Sequence, residues 1–230
     1  MARILVINPN SSENVTAAMD LALDPLRVAG GPEIESLTNP DGPPGIESQA
    51  HVDDVAVQLR AIIQAHDHRV DAFVIACFSD PGLFAAREIT AKPVFGIAES
   101  GILSAMSLGE RYGVIAILSK SIPRHLRYIR SLGLEARLAA DLAIELGVTE
   151  LADEGRTFSR MVEVGTRLRD VHGARALVMG CAGMARYRRR LEDTLSIAVV
   201  DPAQAATAMA VAAIQLGQSN GNGQAVVSGG

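Results

Sequence analysis

Asp71–Cys77 (DAFVIAC) and Arg175–Cys181 (RALVMGC) decide the fold. Each is a short apolar run that ends in a cysteine and is followed by turn residues. Runs of this length without polar alternation read as parallel strands buried on both faces. After the first cysteine, Asp80 reads as a helix N-cap and Pro81 as the first helical residue. Working outward, the pairing recurs. Arg3–Ile7 (RILVI), before the loop Asn8–Ser12 (NPNSS), parallels Arg111–Leu118 (RYGVIAIL), which precedes Ser119–Ser121 and a helix opened by Pro123. Each cysteine is followed by a further apolar strand, Pro93–Ile97 or Ser196–Val200. Weaker strands fit Glu33–Leu37 and Leu134–Ala139. Helical patterns fill Glu13–Leu23, Glu47–Ala65, the stretch from Pro81 to Ile89, Ser100–Leu108, Glu150–His172, Met184–Leu191 and Pro202–Leu216. Ser11 or Ser12 is the N-cap of the first helix.

Strands alternating with helices define an α/β protein with a mainly parallel sheet. The internal repeat divides it into two pseudo-symmetric Rossmann-like lobes. Each lobe has a mainly parallel four-stranded sheet flanked by helices, and a cleft lies between them. Residues 1–98, with a C-terminal helix at about 202–216, form the first lobe. Residues 99–201 form the second. Residues 217–230 are rich in Gly, Ser, Asn and Gln and read as a disordered tail. The repeat places both cysteines at the carboxyl ends of equivalent strands, where open α/β sheets hold their ligands. Asn39–Gly45 (NPDGPPG) reads as a flap beside that edge.

The composition narrows the function. A hydrophobic fraction of 48% with 20% charged residues over 230 residues is that of a folded globular chain. No apolar run reaches the roughly 18–20 residues of a membrane span. A net charge of −5 and 3% aromatics without tryptophan argue against nucleic-acid partners. The apolar run at the amino terminus is too short for a signal peptide, so the expected compartment is the cytoplasm. Two cysteines cannot make a structural zinc site, and there is no GxGxxG, P-loop or metal-ligand spacing. Neither a cofactor nor a metal is expected.

Two readings of the cysteines remain: inert buried thiols, or a reactive pair. At a helix N-terminus a thiol is expected to have a lowered pKa. One thiol on each side of a cleft suits inversion of a stereocentre, with a thiolate taking a proton from one face and a thiol returning one to the other. Other residues carry weaker signals. Asn8 and Asn10 flank Pro9 as a ligand-positioning loop or a plain helix-capping turn. Lys120 is a cleft-edge cation or a solvated turn residue. Glu99 suits the start of its helix. His51, His66, His68 and His125 do not form a metal-ligand pattern, and the run Arg186–Arg190 suits a solvated helix face or a subunit contact.

The stretches ILVINPNSS, DAFVIACFSDPGLFAARE, PVFGIAES and ALVMGCAGMA, in this order, resemble the hydantoin and allantoin racemases of the aspartate/glutamate racemase superfamily. The resemblance runs to about Leu216. It implies the two-lobed fold, cofactor-independent racemisation and a homo-oligomer, as a tetramer or hexamer. It carries the catalytic pair onto Cys77 and Cys181. It also implies substrate contacts from Asn10, Ser11, Phe78, Ser79, Ser119, Lys120, Gly180, Ala182 and Gly183. Amino-acid racemases of the superfamily have Thr after each cysteine, whereas Phe78 and Ala182 stand here, which points to a small neutral cyclic substrate. The rival enzyme readings are an Asp/Glu-type racemase and a maleate-type cis–trans isomerase. The rival outside enzymology is a small-ligand binding protein.

Overall fold

The computed structural model describes residues 1–220, so residues 221–230 of the expected tail lie outside the described residues. Its strands are β1 (Arg3–Asn8), β2 (Glu33–Thr38), β3 (Ala72–Ile75), β4 (Val94–Gly96), β5 (Tyr112–Ala116), β6 (Leu138–Ala143), β7 (Ala176–Met179) and β8 (Ala198–Val200). They form two four-stranded parallel sheets, ordered β2-β1-β3-β4 and β6-β5-β7-β8. The sequence repeat is therefore a repeat of topology. The helices are α1 (Glu13–Ala22), α2 (Gln49–His66), α3 (Leu83–Ile89), α4 (Ile97–Leu108), α5 (Ile122–Ser131), α6 (Glu154–Asp170), α7 (Arg188–Leu195) and α8 (Pro202–Gln215). Among the described residues no helix is long and apolar enough to cross a membrane.

Alternation along each strand explains why both faces of both sheets are apolar. In the first sheet, Ile4, Val6, Ala72 and Val74 meet Met19 of α1 and Ala203, Ala206 and Ala210 of α8. Their neighbours Leu5, Ile7, Phe73 and Ile75 face Leu59 and Ile63 of α2 and Leu83 and Ala86 of α3. The second sheet repeats the scheme. Ile115, Leu177 and Met179 pack on Met161, Val164 and Leu168 of α6 and on Leu191 and Leu195 of α7. Tyr112, Val114, Ala176 and Val178 pack on Ala98, Ile102 and Ala105 of α4 and on Ile129 of α5. Each fully buried Val, Leu, Ile, Phe or Met among them contributes roughly 1.5–3 kcal/mol relative to exposure.

The structure moves several expected elements. The strand expected at Leu134–Ala139 is Leu138–Ala143, because Leu134 is used to close α5: its N–H donates to Ile129 O at 3.1 Å and its carbonyl accepts from Tyr112 Oη at 3.2 Å. The single helix expected at Glu150–His172 is split. A 3-10 turn covers Val148–Ala152, and Asp153 then caps α6, its carboxylate accepting from Arg156 N. The helix expected at Met184–Leu191 is a 3-10 segment, Ala182–Tyr187, leading into α7. Ser12 caps α1 as expected, accepting from Val15 N at 3.4 Å.

Candidate active site

The loops after β1, β3, β5 and β7 leave the sheets from their carboxyl ends. The last β1–β3 partners are Ile7 and Ile75, and the last β5–β7 partners are Ile115 and Met179. Cys77 and Cys181 stand at the same step beyond those partners, so pairing register alone gives the thiols equivalent places. Both line one cavity of about 420 Å³, partly continuous with solvent. Asn10, Phe78, Ser79, Ser121, Arg124, His125, Gly180 and Ala182 also line it, and Val15, Ile46, Ile117 and Val148 supply apolar wall.

The loop carrying Cys77 is fixed by Asp80. The expectation that Asp80 and Pro81 open the next helix is corrected. Helix α3 begins at Leu83, and its cap position is Gly82 in the left-handed region at φ 67°. Asp80, itself at φ 43°, turns its carboxylate across to a different helix. It accepts from Ala98 N at 2.9 Å and Glu99 N at 2.8 Å, which caps α4, and from Tyr128 Oη at 2.8 Å. The carboxylate lies so close to β4 that a Cβ on Gly96 would stand 2.2 Å from Asp80 Cγ. Burial pushes the Asp80 carboxyl up to about 7, against the lowering effect of these three donors. Glu99 pairs with Arg87, Oε2 to Nη2 at 2.5 Å, rather than facing the cavity.

Among the described residues, the loop carrying Cys181 has no such clasp. Cys181 precedes the 3-10 segment, and the Gly183 N–H favours its thiolate. A Cβ at Gly180 would meet Ile115 O at 2.7 Å, so that glycine lets the loop pass the neighbouring strand.

The thiols differ from the expectation of lowered pKa. Both keep part of their surface open to the cleft but are enclosed by protein. Burial pushes Cys77 up to about 12 and Cys181 up to about 11. Loss of hydration outweighs the helix-end donors, because a charged sulfur loses more water than one or two N–H groups replace. Arg124 acts against the shift at Cys77, while Cys181 and Asp80 add to it.

The loop after β1 is bound up in its own hydrogen bonds. Asn8 Nδ2 donates to Asn10 Oδ1 at 3.0 Å and to Thr16 Oγ1 at 3.0 Å, and Ser12 N donates to Asn10 Oδ1 at 2.9 Å. With its oxygen occupied, Asn10 offers its amide N–H groups as donors. The Asn39–Gly45 segment read as a flap is pinned to this loop. Ser11 N donates to Pro43 O at 3.0 Å and Asn39 Nδ2 to Pro9 O at 3.2 Å.

Of the expected contact residues, Asn10, Phe78, Ser79, Gly180 and Ala182 line the cavity with both cysteines. Ser11, Ser119, Lys120 and Gly183 do not. Ser119 Oγ donates to Glu145, and Lys120 Nζ pairs with Glu47 Oε2 at 3.0 Å. Ser11 is tied to Pro43, and Gly183 lies behind the thiol. Ser79 lines the cavity, but its hydroxyl is engaged: it accepts from Arg124 Nε at 3.0 Å and donates to Phe78 O at 2.9 Å.

Sequence reasoning weighed His125 as a metal ligand but did not place it in the cavity, and it singled out neither Ser121 nor Arg124; these three polar residues lie on α5 and the turn before it. Ser121 is buried, and its hydroxyl has no partner among the described residues. Arg124 is 7% exposed. His125 is buried, bonds Asp141 Oδ2 through Nδ1 at 2.8 Å and stands edge-on to Phe78. Their spacing of three and four residues places them on one helical face, a signal present in the sequence but masked by the other arginines of the helix.

A parallel-stranded α/β molecule of two like lobes, with one thiol from each lobe in a shared cleft, has the architecture of the racemase-type isomerases. The chain belongs to the Asp/Glu/Hydantoin racemase family, whose sequence profile matches residues 4–210. It is 34% identical to a hydantoin racemase of Paenarthrobacter aurescens over 221 residues, 94% of this chain and 92% of that one. A hydantoin racemase of Rhizobium meliloti is 36% identical over 218 residues, 93% of this chain and 89% of that one. Allantoin racemase from Klebsiella pneumoniae superposes with a TM-score of 0.91 at 32% identity, covering 96% of this chain and 90% of that chain. A glutamate racemase from Bacillus anthracis, at 16% identity and TM-score 0.68, shares the fold.

Proposed function

We propose that the chain racemises 5-substituted hydantoins, allantoin among them, by a two-thiol proton transfer that needs no cofactor. The observation that carries this reading is the placement of Cys77 and Cys181, from opposite lobes, in the wall of one cavity. One thiolate takes the C5 proton: the C–H bond breaks, an S–H bond forms, and the electron pair moves onto the adjacent ring carbonyl as an enolate. The opposite thiol then gives its proton to the other face of C5 and is left as the thiolate. The roles exchange for the other enantiomer. The ring carbonyl and N–H groups have matching partners in Asn10 amide N–H, the Ser121 hydroxyl and the loop backbone. Phe78 and Ala182 beside the thiols cannot grip an α-carboxylate, which supports a neutral ring. The hydantoin and allantoin racemases similar to this chain support the same substrate class.

The test is incubation of enantiopure allantoin and enantiopure 5-benzylhydantoin in D2O, followed by polarimetry and NMR. Loss of rotation with deuterium entering at C5 supports the reading, and the faster substrate names the preferred substituent. No change over the uncatalysed background for either substrate overturns it. One observation favours an amino-acid substrate instead: Arg124 is a cation in the cavity and could hold a carboxylate. Aspartate and glutamate are therefore the comparison substrates.

A further inference from the structure

Arg124 is a guanidinium with almost no access to solvent, 7% exposed, and it forms no ion pair among the described residues. Its one side-chain hydrogen bond there is from Nε to Ser79 Oγ at 3.0 Å. A buried cation of this kind ordinarily has an anionic partner. The acids it faces are engaged elsewhere: Asp141 with His125, and Glu47 with Lys120 and Val148 N. Arg127 on its own helix repels it. What remains in the cavity wall beside it is Cys77, whose other charged or titratable neighbours are Asp80 and Cys181. The anchor is on the same loop as that thiol, since Ser79 N donates to Cys77 O at 2.7 Å. Loop and cation are thus set together.

We infer that Arg124 is the counter-charge of the Cys77 thiolate and that Ser79 is the residue that positions it. The two bases are then supported differently. Cys77 has a side-chain cation, whereas Cys181 has the Gly183 N–H and, among the described residues, no cation, with Glu47 opposing its charge. This inference rests on the two-thiol reading above. When Cys77 takes the C5 proton its negative charge passes to the enolate, and when Cys181 does so the charge on Cys77 is made in the second step. Arg124 stabilises the Cys77 thiolate at the start of the first case and at the end of the second. Because racemisation has an equilibrium constant of one, kcat/KM must be equal in the two directions, so the asymmetry has to be read in enzymes with one thiol.

The experiment uses the full chain with Cys181→Ser or Cys77→Ser, each leaving one base, and follows C5 deuterium exchange of each enantiomer of 5-benzylhydantoin. Adding Arg124→Gln to Cys181→Ser is expected to slow the remaining exchange at least about tenfold, one pKa unit of thiolate stability. Arg124→Lys in the same background is expected to recover part of the loss. Adding Arg124→Gln to Cys77→Ser is expected to change exchange by less than about twofold. Alkylation of Cys77 at fixed pH is expected to slow in parallel, with Cys181 alkylation unchanged. Equal losses in both backgrounds would overturn the inference, because the cation would then act on the substrate. No loss in either would overturn it as well. If Arg124→Gln does not fold, Ser79→Ala removes the anchor, along with the Ser79 Oγ bond to Phe78 O, and carries the same comparison. If both single-cysteine parents racemise like the unmodified chain, it is the two-thiol reading itself that fails.

Discussion

The loops after β3 and β7 occupy equivalent places in two lobes with the same strand order, and they are built differently. The first, Cys77-Phe78-Ser79-Asp80, is polar and tied down from three directions. Asp80 caps α4 and holds Tyr128, and Ser79 holds Arg124. The second, Cys181-Ala182-Gly183-Met184, has no side-chain clasp among the described residues, and Cys181, Ala182 and Met184 pack by apolar contact. The same backbone step thus delivers two thiols into two electrostatic settings. Duplicated topology fixes where the thiols sit, and the residues just after them fix how readily each ionises. The helix beyond each loop follows the same contrast. Asp80 reaches across from its own loop to cap α4, whereas α8 is capped by its adjacent Asp201, which accepts from Ala203 N at 2.8 Å.

The strongest challenge to the comparison is removal of either thiol. Cys77→Ser and Cys181→Ser are each expected to lower racemisation by at least about a thousandfold, in the range that general acid–base groups supply. The melting temperature is expected to stay within a few degrees, and polarimetry with thermal unfolding checks both. A smaller effect is expected from Gly96→Ala. The new methyl group collides with the Asp80 carboxylate, so the Cys77 loop must move. Such overpacking costs about 1–3 kcal/mol, and displacement of a reacting group by about an ångström lowers kcat by up to about a hundredfold. Denaturant unfolding and kcat measure the two parts.

The pH profile sharpens the comparison further. Both thiols are raised, so thiolate is scarce at neutral pH and kcat/KM is expected to climb about tenfold per unit from pH 7 toward the first thiol pKa. Because the two titrate as a pair, the limbs belong to both. Stability runs the other way. The folded thiols keep protons that unfolded cysteines release near 9.0, so this contribution is complete below about pH 9 and is lost as pH rises toward 11 and 12. Melting curves between pH 8 and pH 10.5 check the sign. The smallest effects are expected from Lys120→Ala and Ser119→Ala: Glu145, the partner of Ser119, is exposed, Glu47, the partner of Lys120, is half-buried and keeps its bond from Val148 N, and neither acid is in the cavity wall. Each is expected to change kcat/KM by less than about twofold and stability by less than about 0.5 kcal/mol.

Features that depend on local pattern are legible in the sequence. Buried parallel strands announce themselves as unbroken apolar runs, and the repeat of DAFVIAC and RALVMGC placed both cysteines at strand ends. Edge strand β6 was misplaced, because LAADLA is only half covered and its pattern is weak. The parts that depend on packing at a distance were not legible. Arg124 and His125 sit in a helix, IPRHLRYIRS, that reads as solvated, and only the meeting of the lobes buries them. Asp80 beside Pro81 has the local signature of a cap, yet the nearer helix starts later and a helix distant in sequence takes the carboxylate. The thiol pKa values depart from the sequence expectation for the same reason. A helix N-terminus is visible in sequence, whereas desolvation is set by everything around the sulfur.

In the proposed mechanism, protons are removed from and returned to opposite faces of C5 by two different thiols. It is tested most directly by following the circular dichroism of one protiated enantiomer of 5-benzylhydantoin during turnover in D2O. With two bases, the product enantiomer gains deuterium as it forms while unreacted substrate keeps hydrogen. The deuterated product returns slowly, so the signal is expected to pass through zero, overshoot and then decay to zero. A monotonic decay, with deuterium appearing equally in both enantiomers from the first turnovers, would mean that a single base serves both faces and would contradict the account.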